Sequence, residues 1–156
     1  MATTYNPRHN YMVESREKAR ASLWAIPFGR FLYSLIFIIS GVNHFSSGSI
    51  SYAASAGVPF ADILVPISGV FAIVGGLSVL TGFHARFGAL LLLMFLVPVT
   101  IIMHDFWSVQ DAQMAQDQMI HFMKNLSMIG GAVLIAFYGA GPISIDNHRA
   151  KKGSRS

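Results

Sequence analysis

Four stretches of this chain are almost wholly apolar, and shorter polar segments separate them. They are residues 28–45 (FGRFLYSLIFIISGVNHF), 62–83 (DILVPISGVFAIVGGLSVLTGF), 86–103 (RFGALLLLMFLVPVTIIM) and 119–140 (MIHFMKNLSMIGGAVLIAFYGA). Their apolar residues run on without the period-two alternation of a barrel strand, so the pattern predicts helices. At 1.5 Å per residue, about 18 to 22 residues cross a hydrocarbon core of ~30 Å. The expected fold class is therefore an all-α membrane protein, a four-helix transmembrane bundle running up and down over residues 28–141. Residues 1–27 are expected to form a flexible or interfacial N-terminal tail, and 142–156 a basic tail. A cleaved signal peptide is the competing reading of the first segment. The basic stretch before it is long for a leader, and FIISGVNHF offers no small-x-small site opening a soluble domain.

Composition strengthens the membrane reading. The chain is 53% hydrophobic and 12% charged, with a mean hydropathy of +0.52, whereas soluble domains carry roughly 25% charged residues. One domain of 156 residues cannot hide so much apolar surface in a single core. Cysteine is absent, which excludes a disulfide, a thiol relay, an iron–sulfur cluster and a thiolate zinc site. The net charge of +4 does not point to nucleic acid, because the cations sit in the tails and one short loop. Ten of the eleven lysines and arginines (Arg8, Arg16, Lys18, Arg20, Arg30, Arg86, Arg149, Lys151, Lys152, Arg155) fall on one face of a four-span topology. Loops 46–61 and 104–118 contain none. The positive-inside rule then predicts a multi-pass protein with both termini cytoplasmic. The same basic flanks suit contact with anionic lipid.

The polar residues inside the spans supply the candidate chemistry. In that topology Asn43 and His44 close the first span, His104 and Asp105 close the third, and His121, Lys124 and Asn125 open the fourth, all at one depth on the outer side. Thr100, Met103, His104 and Trp107 follow helical spacing and would share one face, as would His121, Lys124, Asn125 and Met128. Such side chains avoid lipid, since a central lysine costs about 2.5–3.5 kcal/mol on insertion scales. A structural reading has Asp105 cap its helix or pair with Lys124, Lys124 snorkel outward, and the histidines bond to backbone or water. A functional reading makes His44, His104, His121 and Lys124 the lining of a polar pocket, with imidazoles exchanging protons near neutral pH. A metal held by the three histidines and Asp105 is disfavoured: no local ligand motif is present and Lys124 would repel a dication. Gly69, Gly75, Gly76, Gly82, Gly130 and Gly131 suit close packing of helix backbones in lipid. Pro66 and Pro98 are expected to kink their helices.

Several motifs together resemble the DoxX family: SGVNHF, AGVP, GGLSVLTGFHAR, HDFW, HFMKNLSMIGG and GAGPISID, spread from Gly29 to Asp146. The resemblance implies a small four-helix protein of the bacterial cytoplasmic membrane. A related protein type, DoxD, is a subunit of a thiosulfate:quinone oxidoreductase, and other relatives associate with oxidative-stress proteins. Carried over by position are Gly41, His104, Phe106, Trp107, Lys124, Asn125, Gly130, Gly131, Pro142 and Asp146. Two departures stand out: His44 replaces a frequent lysine, and Ala72 a frequent acid. Losing both removes an ion pair without stranding either charge.

The leading expectation is a membrane component of a redox system that binds a quinone or small anion in the outer half of the bundle. Lys124 and Asn125 would polarise a carbonyl or anionic oxygen, His104 and His121 would relay protons, and Asp105 would orient an imidazole. Asn43, His44 and Trp107 would complete the binding surface. No flavin, haem or nucleotide motif is present, so no cofactor is evident beyond the quinone of this reading, and electrons would come from a partner. The partners in view are the lipid bilayer, a second copy of the chain or a soluble redox protein, with no nucleic acid. A non-enzymatic scaffold recruiting a soluble protein is the alternative, and a small transporter the second.

Overall fold

The computed structural model describes residues 7–153, with side chains at Glu14 and from Leu23 onward. The described residues form six α-helices and one 3-10 turn. Helix α1 covers Pro7–Asn43, α2 Ser47–Ser55, α3 Ala61–Thr81, α4 Ala85–Met103, α5 Ala112–Tyr138 and α6 Ile145–Gly153; the 3-10 turn is Phe106–Ser108. Among the described residues, four segments are long and apolar enough to cross a membrane: Leu23–Asn43, Ala61–Thr81, Ala85–Ser108 and Ala112–Tyr138. The all-helical membrane class is as the hydropathy pattern predicts.

The helices differ from the expectation outside those spans. Residues 7–22, expected as a flexible or interfacial tail, continue α1. A helix already nucleated by its apolar part gains one hydrogen bond per added residue without a new nucleus, and Glu14, Arg16, Glu17, Lys18 and Ala19 are good helix formers. The segment 46–61 contains α2, started by Ser46, whose Oγ accepts from Ser49 N at 3.2 Å. Helix α5 begins seven residues before the expected 119, because Asp111 caps it by accepting from Met114 N at 2.8 Å. In the basic tail Ser144 Oγ accepts from Asn147 N at 3.1 Å, beside the first turn of α6. Each of these starts is a local capping event that satisfies an orphan N–H.

Successive spans pack on one another: α1 against α3, α3 against α4, and α4 against α5. Two crossings depend on glycine. A Cβ on Gly69 would stand 2.8 Å from Gly41 O, and one on Gly75 would stand 2.8 Å from Gly88 O, so the backbones touch where a side chain would separate them. Gly76 and Gly131 also face neighbouring helices, whereas Gly130 faces open space. Pro66 and Pro98 lie inside continuous helices. The centre is filled by Phe37, Ala72, Val79, Ala89, Leu92, Phe95, Leu96 and Ala132. Leu32, Ile39, Val70, Leu77, Met94, Ile101, Leu134 and Phe137 point outward and are exposed. Helices apolar on both faces need lipid outside them.

The bundle consequently has two ends of different character. Arg30, Gly82, Asp146 and α6 meet at one, the basic end. His44, His104, His121 and Lys124 stand at the other, the histidine end.

Candidate ligand-binding site

At the histidine end α1, α3, α4 and α5 stand apart around a cavity of about 490 Å³, with α2 on its rim. Its walls are mostly apolar, from Phe37, Val65, Phe71, Phe95, Leu96 and Met128 among others. His44, His104, Lys124 and Asn125 add polar groups to the lining. Of the residues expected to bind or react, these four share the cavity.

Each of the three imidazoles here has a partner at Nδ1. His44 Nδ1 lies 2.7 Å from Ser40 O; a carbonyl only accepts, so Nδ1 carries the proton and neutral His44 keeps Nε2 as an acceptor. Its ring also packs edge-on against Phe95, with centroids 5.4 Å apart. His104 Nδ1 meets the Gln118 side-chain amide at 2.8 Å, a partner that can accept or donate. His121 is the reverse of His44. Lys124 Nζ approaches His121 Nδ1 at 3.2 Å, and an ammonium only donates, so that Nδ1 accepts. The His104 and His121 rings stack, with centroids 5.3 Å apart and planes 23° apart.

Asn125 is the residue with unfinished bonding. It is 4% exposed and borders the cavity, yet its amide makes no hydrogen bond among the described residues. Thr100, equally deep, is satisfied within its own helix by Leu96 O at 2.6 Å. The side-chain atoms sealed without a partner among the described residues are Arg30 Nε and Ser34 Oγ, not the Asn125 amide, whose unbonded groups are open to the cavity. An oxygen-bearing ligand in that cavity would find the Asn125 amide free to bond.

Four expected roles take a different form. Helix α4 stops at Met103, and His104 leaves it with φ −129°. The helical spacing that would bring Trp107 onto the face of Met103 and His104 therefore ends before reaching it. Trp107 packs instead with Phe106 and Phe122, centroids 5.1 and 5.8 Å away, outside the cavity lining. Asp105 neither pairs with Lys124 nor orients an imidazole: Lys124 turns to His121, and His104 to Gln118. Asn43 is exposed at the end of α1, away from the lining, and its carbonyl accepts from Ser46. His121 touches the lining residues Lys124 and His104 without itself facing the cavity. Gln118 was missed, although it sits three residues before His121 in one helix. Among the described residues, no group of three or more histidine, aspartate or glutamate side chains is placed to hold a metal ion.

The basic end also holds a residue whose part the topology argument did not foresee. Arg30, counted from the sequence among the cations that set the topology, is 6% exposed. Its Nη1 donates to Ala140 O and its Nη2 to Ile143 O, the latter at 2.7 Å. Asp146 accepts from His84 N at 2.8 Å and Ala85 N at 3.1 Å, capping α4 from 61 residues away in sequence. Asp146 N in turn donates to Gly82 O at 2.9 Å.

Four apolar spans around a cavity with a polar edge define an integral membrane protein of the small helical-bundle kind. The SURF4 family profile matches residues 12–152, and the chain belongs to that family as an integral inner-membrane protein. It is 32% identical over 114 residues to the inner membrane protein YphA of Escherichia coli (strain K12), covering 72% of this chain and 81% of that one. It is 32% identical over 125 residues to the inner membrane protein YqjF of the same organism, covering 79% and 90%. No solved structure matches the chain significantly. The resemblance to the DoxX family is thereby overturned: the profile that spans the chain is SURF4. The short motifs HDFW and GAGPISID serve local needs here, a helix end and a remote cap. With that resemblance goes the warrant for an oxidoreductase subunit, and for reading His44 and Ala72 as departures.

Proposed function

We propose that the protein binds a lipid-soluble molecule with an oxygen-bearing head, a quinone or a small amphiphilic anion, in the cavity at the histidine end. The observation that carries this is the Asn125 amide, buried at 4% exposure beside a cavity of about 490 Å³ and without a partner among the described residues. Lys124 adds a cationic donor beside it, and the apolar walls suit a hydrocarbon or ring. A neutral or anionic oxygen would accept from Lys124 Nζ and the Asn125 amide, while the acceptor nitrogen of His44 favours a hydroxyl or a protonated head. Proton exchange with the head is within the chemistry of these imidazoles; electron transfer needs a partner.

The distribution of cations supports placing the basic end and both termini in the cytoplasm, which puts this cavity on the far side of the membrane. A docking role for the basic end has one feature in its favour: α1 runs sixteen residues ahead of its membrane span, roughly 24 Å of helix.

The test is to purify the protein in mild detergent, extract it with organic solvent and identify the retained molecule by mass spectrometry. One amphiphile in near-equal amount is expected. Lys124→Met should lower its retention about tenfold, the worth of one charge-assisted hydrogen bond, without changing the melting temperature. Recovery of bulk lipid alone, equal in both proteins, would sink the proposal.

A further inference from the structure

We propose that the ligand of the histidine-end cavity is a single-chain anionic amphiphile whose tail leaves sideways, through a slot between α3 and α4, and ends among the acyl chains of the bilayer. This rests on the reading that sets the head beside Lys124 and Asn125, and adds where the rest of the molecule goes.

The slot begins where glycine packing ends. A Cβ on Gly75 would stand 2.8 Å from Gly88 O, and one on Gly88 3.0 Å from Gly75 O, so α3 and α4 touch backbone to backbone there. Toward the histidine end, large side chains take over. Leu64, Ile67 and Phe71 recur on one face of α3, and Met94, Pro98 and Ile102 on one face of α4. All six line the cavity. Side chains between two closely packed helices are covered, yet Leu64, Ile67, Met94, Pro98 and Ile102 are exposed. A residue that lines a cavity and is also open on its outer side stands at a mouth. Met94 falls midway along the nineteen residues of α4, and both helices are long and apolar enough to be spans. This mouth therefore meets hydrocarbon.

The chemistry changes across the cavity in the same sense. Ser68 is the polar side chain on the slot face of α3, and its hydroxyl already donates to Val65 O at 2.7 Å. On the opposite side the lining comes from α1 and α5, with Ile36, Ser40 and the exposed Lys124. Tyr33 Oη donates to Met128 O at 2.6 Å and ties those two helices together. One side is apolar and the other cationic, which directs an anionic head to α5 and a tail to the slot. A tail in the slot exchanges lipid neighbours for side chains that are equally apolar. Its length should then matter little, whereas a closed cavity of about 490 Å³ would reject chains too long to fit.

The experiment reads the thermal midpoint of the full chain in phosphatidylcholine nanodiscs against the membrane mole fraction of decanoate, tetradecanoate and octadecanoate. All three should raise the midpoint, at half-effective fractions within about threefold of one another. Lys124→Met should abolish all three rises. Met94→Trp, which fills the slot, should raise the fraction of octadecanoate required about tenfold and leave decanoate unchanged. Ile67→Trp should do the same from α3. Both positions are exposed, so the ligand-free midpoint should hold. Ile36→Trp, on the side of α1 and α5, should change neither chain's effect. A rise with decanoate alone would leave the head site standing and overturn the slot. Loss of octadecanoate binding in Ile36→Trp but not in Met94→Trp would put the tail between α1 and α5, and would overturn it equally. No rise with any chain, or rises that Lys124→Met leaves intact, would overturn the proposal together with the anionic reading of the head.

Discussion

At the basic end, side chains bond mainly to backbone. Arg30 ties the first span to the segment after the last through two carbonyls, and Asp146 holds the first N–H groups of α4. At the histidine end, His104 bonds to Gln118 and Lys124 to His121, side chain to side chain, while the Asn125 amide bonds to nothing among the described residues. Backbone carbonyls and N–H groups at helix ends must find partners wherever they are buried, so the first arrangement meets a demand of folding. Side-chain pairs around a cavity meet no such demand. The contrast separates polar residues that hold the bundle together from polar residues left for a ligand, although both sets read alike as charges and imidazoles in apolar spans.

The largest test of that contrast is Arg30→Gln. It removes the cation that answers Ala140 and Ile143, and leaving buried groups unsatisfied should cost about 3 kcal/mol in total. The expected result is a strongly lowered melting temperature in detergent, with Arg30→Lys failing to restore it, because an ammonium cannot reproduce the planar fork. A melting temperature unchanged by Arg30→Gln would mean that the basic end is not the fastened one.

Next in size is Gly82→Ala. Gly82 ends α3 at φ 66°, and an added Cβ would stand 2.5 Å from Ser144 Cβ and 2.8 Å from Arg30 Nη1. Left-handed backbone and overpacking together should destabilise by about 2 kcal/mol. The loss should appear as easier denaturation, with ligand retention at the distant cavity preserved. If retention fell in step with stability, the two ends would not be independent.

The four spans were legible because a continuous apolar run of membrane length suits little besides a crossing of the bilayer. The gathering of His44, His104, Lys124 and Asn125 was legible for a related reason: helical spacing and alternating crossings restrict which residues can meet. The part of Arg30 was not legible because the charge pattern uses an arginine near a span end only for orientation, and tertiary contact alone reveals the carbonyls it answers. The same limit hid Asp146, whose cap reaches a helix 61 residues away. Gln118 escaped notice because α5 starts seven residues earlier than its apolar run, at the Asp111 cap. The DoxX resemblance failed for a different reason. It rested on short motifs, whereas the SURF4 profile spans residues 12–152.

Trp107 gives the smallest effect and the sharpest reading of the site. Its spacing from His104 assumed that α4 continued, but the helix ends at Met103 and the chain turns through Phe106–Ser108. Trp107 is 59% exposed and meets Phe106 and Phe122 edge to face. Trp107→Ala should therefore remove one or two aromatic contacts, about 0.5–1.5 kcal/mol at most, and leave ligand retention within error of the unaltered protein. Lys124→Met should do the opposite, sparing stability and lowering retention. Were Trp107→Ala to release the ligand as Lys124→Met does, the binding surface would extend over the 3-10 turn, and the cavity among the four spans would be only part of it.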